Sequence, residues 1–357
     1  MSPPLTALLG TELALVQAPM AGVQGHALAA AVCEAGGLGS LPAAMLSPEA
    51  LRVELQALTT LTTRPYGVNF FCHRPAAPDP GREQGWRLAL APFYAELGLD
   101  PTQQPAAAAR TPFSHALADV LEPYRPPVLS FHFGLPAPDL LARVKGWGAR
   151  VLSSATTLEE GRWLQAHGAD AVIAQGLQAG GHRGHFLRHD LDLGGQLDTL
   201  ELVQALAAAL QVPVIAAGGL ADAQAVAAAC ARGAAGVQVG TAYLLSPQAT
   251  TSAVHRAALR TATPGATALT TVFTGRPARG LLNRVMRELG SLPAAAPAFP
   301  TAASALAPLR AAAEARGSGD FSPLWAGEQA AACRSADAGE ITRALAAGLP
   351  PAQRRGP

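Results

Sequence analysis

Lysine is almost absent from this chain: Lys145 is the only one, and every other cation is arginine. Charged residues make up 14% of the 357, and the formal net charge is +1. So neutral a balance gives no electrostatic case for nucleic acid or an acidic membrane surface as partner. Cysteine is scarce as well. Cys33, Cys72, Cys230 and Cys333 are irregularly spaced without a CxxC pair, which speaks against a zinc centre or a disulfide framework. No window holds 18 uninterrupted apolar residues, the length a spanning helix needs. The opening MSPPLTALLGTELALVQ has no basic n-region and contains Glu12, unlike a signal peptide. The expectation is a soluble, reduced, cytoplasmic protein.

What is abundant is apolar surface, at 49% of residues. A chain of this length forms one large domain with additions, or two domains. Eight short apolar runs punctuate it: ALVQAPM (14–20), GLGSL (37–41), YGVNFF (66–71), PVLSFHF (127–133), ARVLSSA (149–155), ADAVIAQG (169–176), PVIAAGG (213–219) and AGVQVGT (235–241). Several lack polar alternation, as parallel strands buried on both faces do. Amphipathic helical patterns lie between most of them. Ser47, Thr157 and Asp222 stand where N-caps belong, and Gly36, Gly148, Gly168 and Gly233 where helices should stop. Eight strand–helix units predict a (β/α)8 TIM barrel. A doubly wound sheet would place a glycine-rich phosphate loop after its first strand, and APMAG (18–22) is not that fingerprint.

The predicted barrel spans 1–72 and 127–245. Residues 73–126, proline-rich with two helical stretches, read as an inserted lid segment over the catalytic face. Residues 246–349 read as a mostly helical C-terminal region, and 350–357 as a disordered tail.

Function in such a barrel belongs to the C-terminal ends of its strands. The first run delivers Met20 there, the third Asn69, the fourth His132, and the sixth Gln175, Gly180, Gly181 and His182. The seventh delivers Gly218 and Gly219; the eighth delivers Gln238, Val239, Gly240 and Thr241. Paired glycines after the seventh and eighth strands let backbone N–H groups approach a phosphate, and Thr241 adds a hydroxyl. Turn-making glycines are the plainer alternative. Asn69 and Gln175 are amides at the ends of apolar strands, available to a ligand edge or to local backbone. His182 admits three readings. It pairs with backbone, or it ligates a metal with His185 and His189, or it acts beside a cofactor as general base or charge stabiliser. His132 is a second imidazole that either meets substrate or fills the barrel mouth. Arg183 reads as a loop or salt-bridge residue.

Together QAPMAG (17–22), YGVNFFCH (66–73), VLSFHFG (128–134), AQGLQAGGHRG (174–184), AAGGL (216–220), VQVGTA (237–242) and DFSPLWAG (320–327) give a pattern that resembles class I bacterial nitronate monooxygenases, formerly called 2-nitropropane dioxygenases. The resemblance implies a TIM barrel that holds non-covalent FMN at its C-terminal face under a smaller helical region. It implies FMN contacts at Asn69, Gln175, Gly180, Gly219 and Gln238–Thr241, and His182 as the active-site histidine. It further implies oxidation of alkyl nitronates by O2 to a carbonyl compound and nitrite, without a nicotinamide, with propionate 3-nitronate as the natural target. One segment departs from the pattern. Relatives carry tyrosines and a lysine where this chain has Phe299, Ala303 and Ala307, which weakens the case for a carboxylate-bearing nitronate. An FMN-dependent enoyl-acyl-carrier-protein reductase using NAD(P)H, and a flavin-binding protein without turnover, are the alternatives.

Overall fold

The structure, a computed structural model, describes residues 3–77, 79–102, 110–188, 191 and 193–354. All eight predicted runs are strands: β1 (Leu15–Gln17), β2 (Ser40–Pro42), β3 (Gly67–Phe71), β4 (Val128–His132), β5 (Arg150–Ala155), β6 (Ala171–Gln175), β8 (Val214–Ala217) and β9 (Gly236–Val239). They pair in parallel in the order β1-β9-β8-β6-β5-β4-β3-β2. A Val16–Leu38 bridge closes most of the remaining seam between β1 and β2. Side chains finish it: Ser40 N donates to Gln17 Oε1 at 3.2 Å, and Gln24 Nε2 donates to Ser40 O at 2.7 Å. Amide side chains therefore take up backbone groups that a full ladder would have paired.

The helices lie where periodicity and caps put them. Ser47, Thr157 and Asp222 each accept a hydrogen bond from the N–H three residues on, and Gly36, Gly148, Gly168 and Gly233 follow two residues past a helix end with positive φ. Two clusters of buried side chains join the helices to the outside of the barrel. A smaller one fills its inside, where Leu5 and Leu9 of the first helix meet Val16, Leu38, Leu152 and Ile215. That short helix plugs one end of the barrel.

Three strands were not foreseen. Gly181–His182 (β7), Thr267–Thr270 (β10) and Ala278–Leu281 (β11) form an antiparallel sheet in the order β10-β11-β7. The run after β6 thus returns as a two-residue strand with His182 opposite Ala278. Helix Pro80–Leu97 of the insertion packs on helix Ala302–Ala315. Trp86 Nε1 donates to Ala302 O at 3.1 Å, and Tyr94 OH to Ala305 O at 2.7 Å. With Phe93, Val272, Met286, Leu309 and Phe321 these residues make a core separate from the barrel's.

The tail expected at 350–357 is ordered as far as Arg354. Ala14 N donates to Gln353 O at 3.0 Å, Gln353 Nε2 donates to Ala234 O at 2.8 Å, and Arg354 bridges Leu13. Apolar Leu349 and these backbone bonds hold it; residues 355–357 lie outside the described residues. Among the described residues no helix is long and apolar enough to cross a membrane.

Candidate active site

A cavity of about 220 Å³ opens at the C-terminal ends of the barrel strands, and every site residue predicted above lines it. Met20 comes from the turn after β1, where its N–H donates to Gln24 Oε1 at 3.0 Å. Asn69 and Gln175 stand at β3 and β6. Gly180, Gly181 and His182 come from the β6 return, Gly218 and Gly219 from the turn after β8, and Gln238 to Thr241 from the end of β9.

The glycines are needed for closeness as well as for turning. A Cβ on Gly218 would stand 2.7 Å from Ala179 N, and one on Gly180 would stand 2.5 Å from Gly327 N. Gly218 also adopts φ of +118°, which an L side chain rarely takes. Thr241 Oγ1 accepts from Gly327 N at 2.9 Å, so its own hydrogen remains to donate. Gln238 Oε1 is buried with no hydrogen-bond partner. A buried amide oxygen without a donor is costly, by about 1–3 kcal/mol, and asks for one from a ligand.

The two strand-end amides are less free. Asn69 Nδ2 donates to Ser130 O and Oγ at 3.1 and 3.0 Å. Gln175 Nε2 donates to His182 O at 2.8 Å, while its Oε1 accepts from Gly184 N at 2.8 Å. Gln175 therefore folds the return loop onto the strand that it leaves. Arg183 does the same from the other side. It makes no carboxylate salt bridge among the described residues; it is fully buried and donates to Gly176 O (2.6 Å), Gln175 O (2.7 Å) and Gln196 Oε1 (2.9 Å). Burial lowers its pKa to about 9. Glu160, also buried, accepts from Thr156 N at 2.7 Å and Phe186 N at 2.6 Å and pins the far end of the loop.

His182 stands in the cavity wall with protein packed around the rest of its ring. Phe299 and Trp325 both lie 5.4 Å from it, centroid to centroid, and Phe133 lies at 6.2 Å. Its Nε2 is 2.9 Å from Thr274 Oγ1, and that hydroxyl donates to Arg276 O at 3.4 Å. Thr274 then accepts from His182, which assigns the hydrogen to Nε2 and the lone pair to Nδ1. Burial, followed by the charges of Arg110, His132, Arg276 and His73, pushes its pKa well below the usual histidine value. The ring is neutral at ordinary pH.

His132 is differently placed. Its Nε2 lies 3.1 Å from His182 O, which can only accept, so its Nδ1 accepts from Ser154 Oγ at 3.1 Å. Both nitrogens are engaged by protein groups, and burial lowers its pKa to about 3. Only ring carbons remain to meet a substrate. The metal reading of His182 and His185 included His189, which lies outside the described residues. Among the described residues no three His, Cys, Asp or Glu gather as a metal site would require.

Several residues at the site were not singled out from the sequence. Arg110, Phe71 and Trp325 line the cavity, and Thr274 fixes the imidazole. Trp325 lies within the DFSPLWAG element. Arg110 and Thr274 come from segments with no repeating pattern, and only the fold brings them to the barrel mouth.

Comparison with known proteins agrees with this architecture. The sequence model of a family described as nitronate monooxygenase matches residues 2–348. A nitronate monooxygenase from Pseudomonas aeruginosa is 43% identical over 348 residues, covering 95% of this chain and 97% of that one. The crystal structure of nitroalkane oxidase from Streptomyces ansochromogenes superposes with a TM-score of 0.87 at 40% identity, over 98% of this chain and 99% of that one. FabK from Thermotoga maritima is more distant, at 26% identity and a TM-score of 0.70, over 97% and 95% of the two chains. Matched along nearly its whole length, and with the glycine turns and His182 gathered on one cavity, this chain belongs to the nitronate monooxygenase family.

Proposed function

We propose that the cavity binds FMN and that the protein oxidises alkyl nitronates with O2 to a carbonyl compound and nitrite. The family it belongs to is one of flavin enzymes. The residues present fit the group. Gln238 Oε1 needs a donor, which a ribityl hydroxyl or a ring N–H provides. The turns at 218–219 and 240–241 leave room for a phosphate against backbone, with the Thr241 hydroxyl free to donate. Among the described residues no carboxylate lines the cavity to repel an anion. In this reading 1–72 with 127–245 form the cofactor barrel, and the 73–126 insertion and 246–349 cover the substrate side.

When bound, the flavin supplies the electron acceptor and the place where O2 is consumed. The chain supplies position and protons. A nitronate is already a carbanion equivalent and needs no base. A neutral nitroalkane does, and His182 Nδ1, with its lone pair free and its Nε2–H held by Thr274, takes the α-proton. A protonated His182 stabilising the nitronate is disfavoured by the same burial and positive neighbours that keep the ring neutral. Phe71, Phe133, Phe299 and Trp325 keep water from the ring.

The carrying observation is this neutral imidazole on the wall of the same cavity as the orphaned Gln238 oxygen. Anaerobic mixing of the purified yellow protein tests the reading. Propane-1-nitronate should bleach the flavin absorbance, and NADH and NADPH should not. Rapid bleaching by either nucleotide would move the reading to a reductase. Bleaching by none of the three would leave a flavin-binding protein without turnover.

A further inference from the structure

Among the described residues that line the cavity, Arg110 is the only permanently charged one. Its Nη1 is sealed from solvent without a hydrogen-bond partner, and no carboxylate among the described residues forms a salt bridge with it. The other buried arginines nearby are used up. Arg183 donates to two backbone carbonyls and Gln196, and Arg276 donates to the carbonyls of Arg183 and His185 while stacking 4.1 Å over Phe133. Among the described residues, Arg110 has the Phe299 ring, 5.5 Å from its Cζ. A guanidinium taken out of water without an anion is a costly arrangement, and it persists where a ligand completes it.

Position says which part of a ligand that is. His182 touches the same Phe299 ring, so guanidinium and imidazole flank one phenyl group. The reacting carbon of a substrate belongs at the imidazole. Arg110 therefore faces a substituent further along the chain and not the reacting group itself. Resting on the nitronate-oxidising reading above, we infer that Arg110 is a specificity residue, which pairs with a carboxylate that the substrate carries away from its reacting carbon.

The test uses the flavin-loaded protein and two substrates of equal carbon number, propionate 3-nitronate and propane-1-nitronate. Arg110→Gln should lower kcat/KM on the first on the order of 100-fold, mainly through KM, as loss of a charge-assisted pair does. On the second it should change little, and Arg110→Lys should restore part of the loss. An equal loss on both substrates, no loss on either, or release of the flavin by Arg110→Gln would each overturn the assignment. Calorimetry with the unreactive pair 3-nitropropionate and 1-nitropropane reads the same contact without turnover. The wild type should prefer the carboxylate, and Arg110→Gln should lose that preference. Should neither nitronate be turned over while this preference is present, the oxidase reading fails and the anion site stands. Absence of the preference in the wild type removes the anion site whatever the activity.

Discussion

At the scale of a single residue, the base role proposed for His182 rests on the lone pair on Nδ1, and that lone pair exists only while the ring is unprotonated. Its pKa in the folded protein lies well below the ordinary 6.5, with burial as the first cause and the Arg110 charge next. The sign follows directly. Protonation disables the base, and the depressed pKa moves that event to more acid solution. The pH profile of kcat/KM for a neutral nitroalkane should be level above about pH 6.5 and fall only below it; an acid limb at pH 7 or higher would contradict the placement. Replacing the imidazole by His182→Asn should keep the yellow cofactor and lower the rate on neutral nitroalkanes by about 10²–10⁴-fold, with a smaller loss on preformed nitronates. Equal losses measured by oxygen uptake on both would remove the base role.

The element that matters most is the return from β6. It leaves the barrel at Gln175, turns through Gly180, and joins the added sheet at His182. Three side chains hold it: Gln175 from within, Arg183 from beneath, and Glu160 from the neighbouring helix. Arg183→Ala would leave the carbonyls of Gln175 and Gly176 without their donors. At about 1–3 kcal/mol for each unsatisfied buried group, the expected loss is about 2–5 kcal/mol in urea-unfolding stability, with weaker retention of the flavin because His182 shares the loop. A change below about 0.5 kcal/mol, the size of an ordinary surface substitution, would show that the loop is held by other contacts.

Across the whole molecule, burial disfavours the charged form of His73, His132, His182 and His255. Burial lowers His73 and His255 to about 4 and His132 to about 3, and His182 also lies well below its usual value. In the unfolded chain each titrates near 6.5. The unfolded state therefore takes up protons first as pH falls, and stability is lost from about pH 6.5 downward. The loss continues until the folded-state values near 4 and 3 are passed. Each histidine contributes a slope of up to about 1.4 kcal/mol per pH unit within that window. The melting temperature should be nearly constant from pH 8 to 7 and drop steeply between 6 and 4.5. A flat profile down to pH 5 would mean that these rings are solvated more than their packing shows. Because these histidines belong to the barrel mouth and the region packed over it, acid should release the cofactor before the barrel unfolds, visible as flavin fluorescence rising ahead of the loss of secondary structure.

The sequence by itself determined the barrel: eight apolar runs of strand length, the caps at Ser47, Thr157 and Asp222, and the glycine stops are local signals, and local signals suffice where each unit repeats the last. It also marked the glycine turns and His182, because strand ends are predictable once strands are. It could not read β7, β10 and β11, two- and four-residue strands that exist only because distant segments pair. Nor could it show that Gln175 and His132 spend their polar atoms on the protein, that Thr274 orients the imidazole, or that Arg110 reaches the cavity with no anionic partner among the described residues. Hydrogen bonds and unpaired charges are properties of neighbours in space. The neighbours lie far apart along the chain, 7 positions for Gln175 and His182 and 92 for Thr274 and the same histidine, and farther still for Arg110 and Phe299, so only the folded chain decides them.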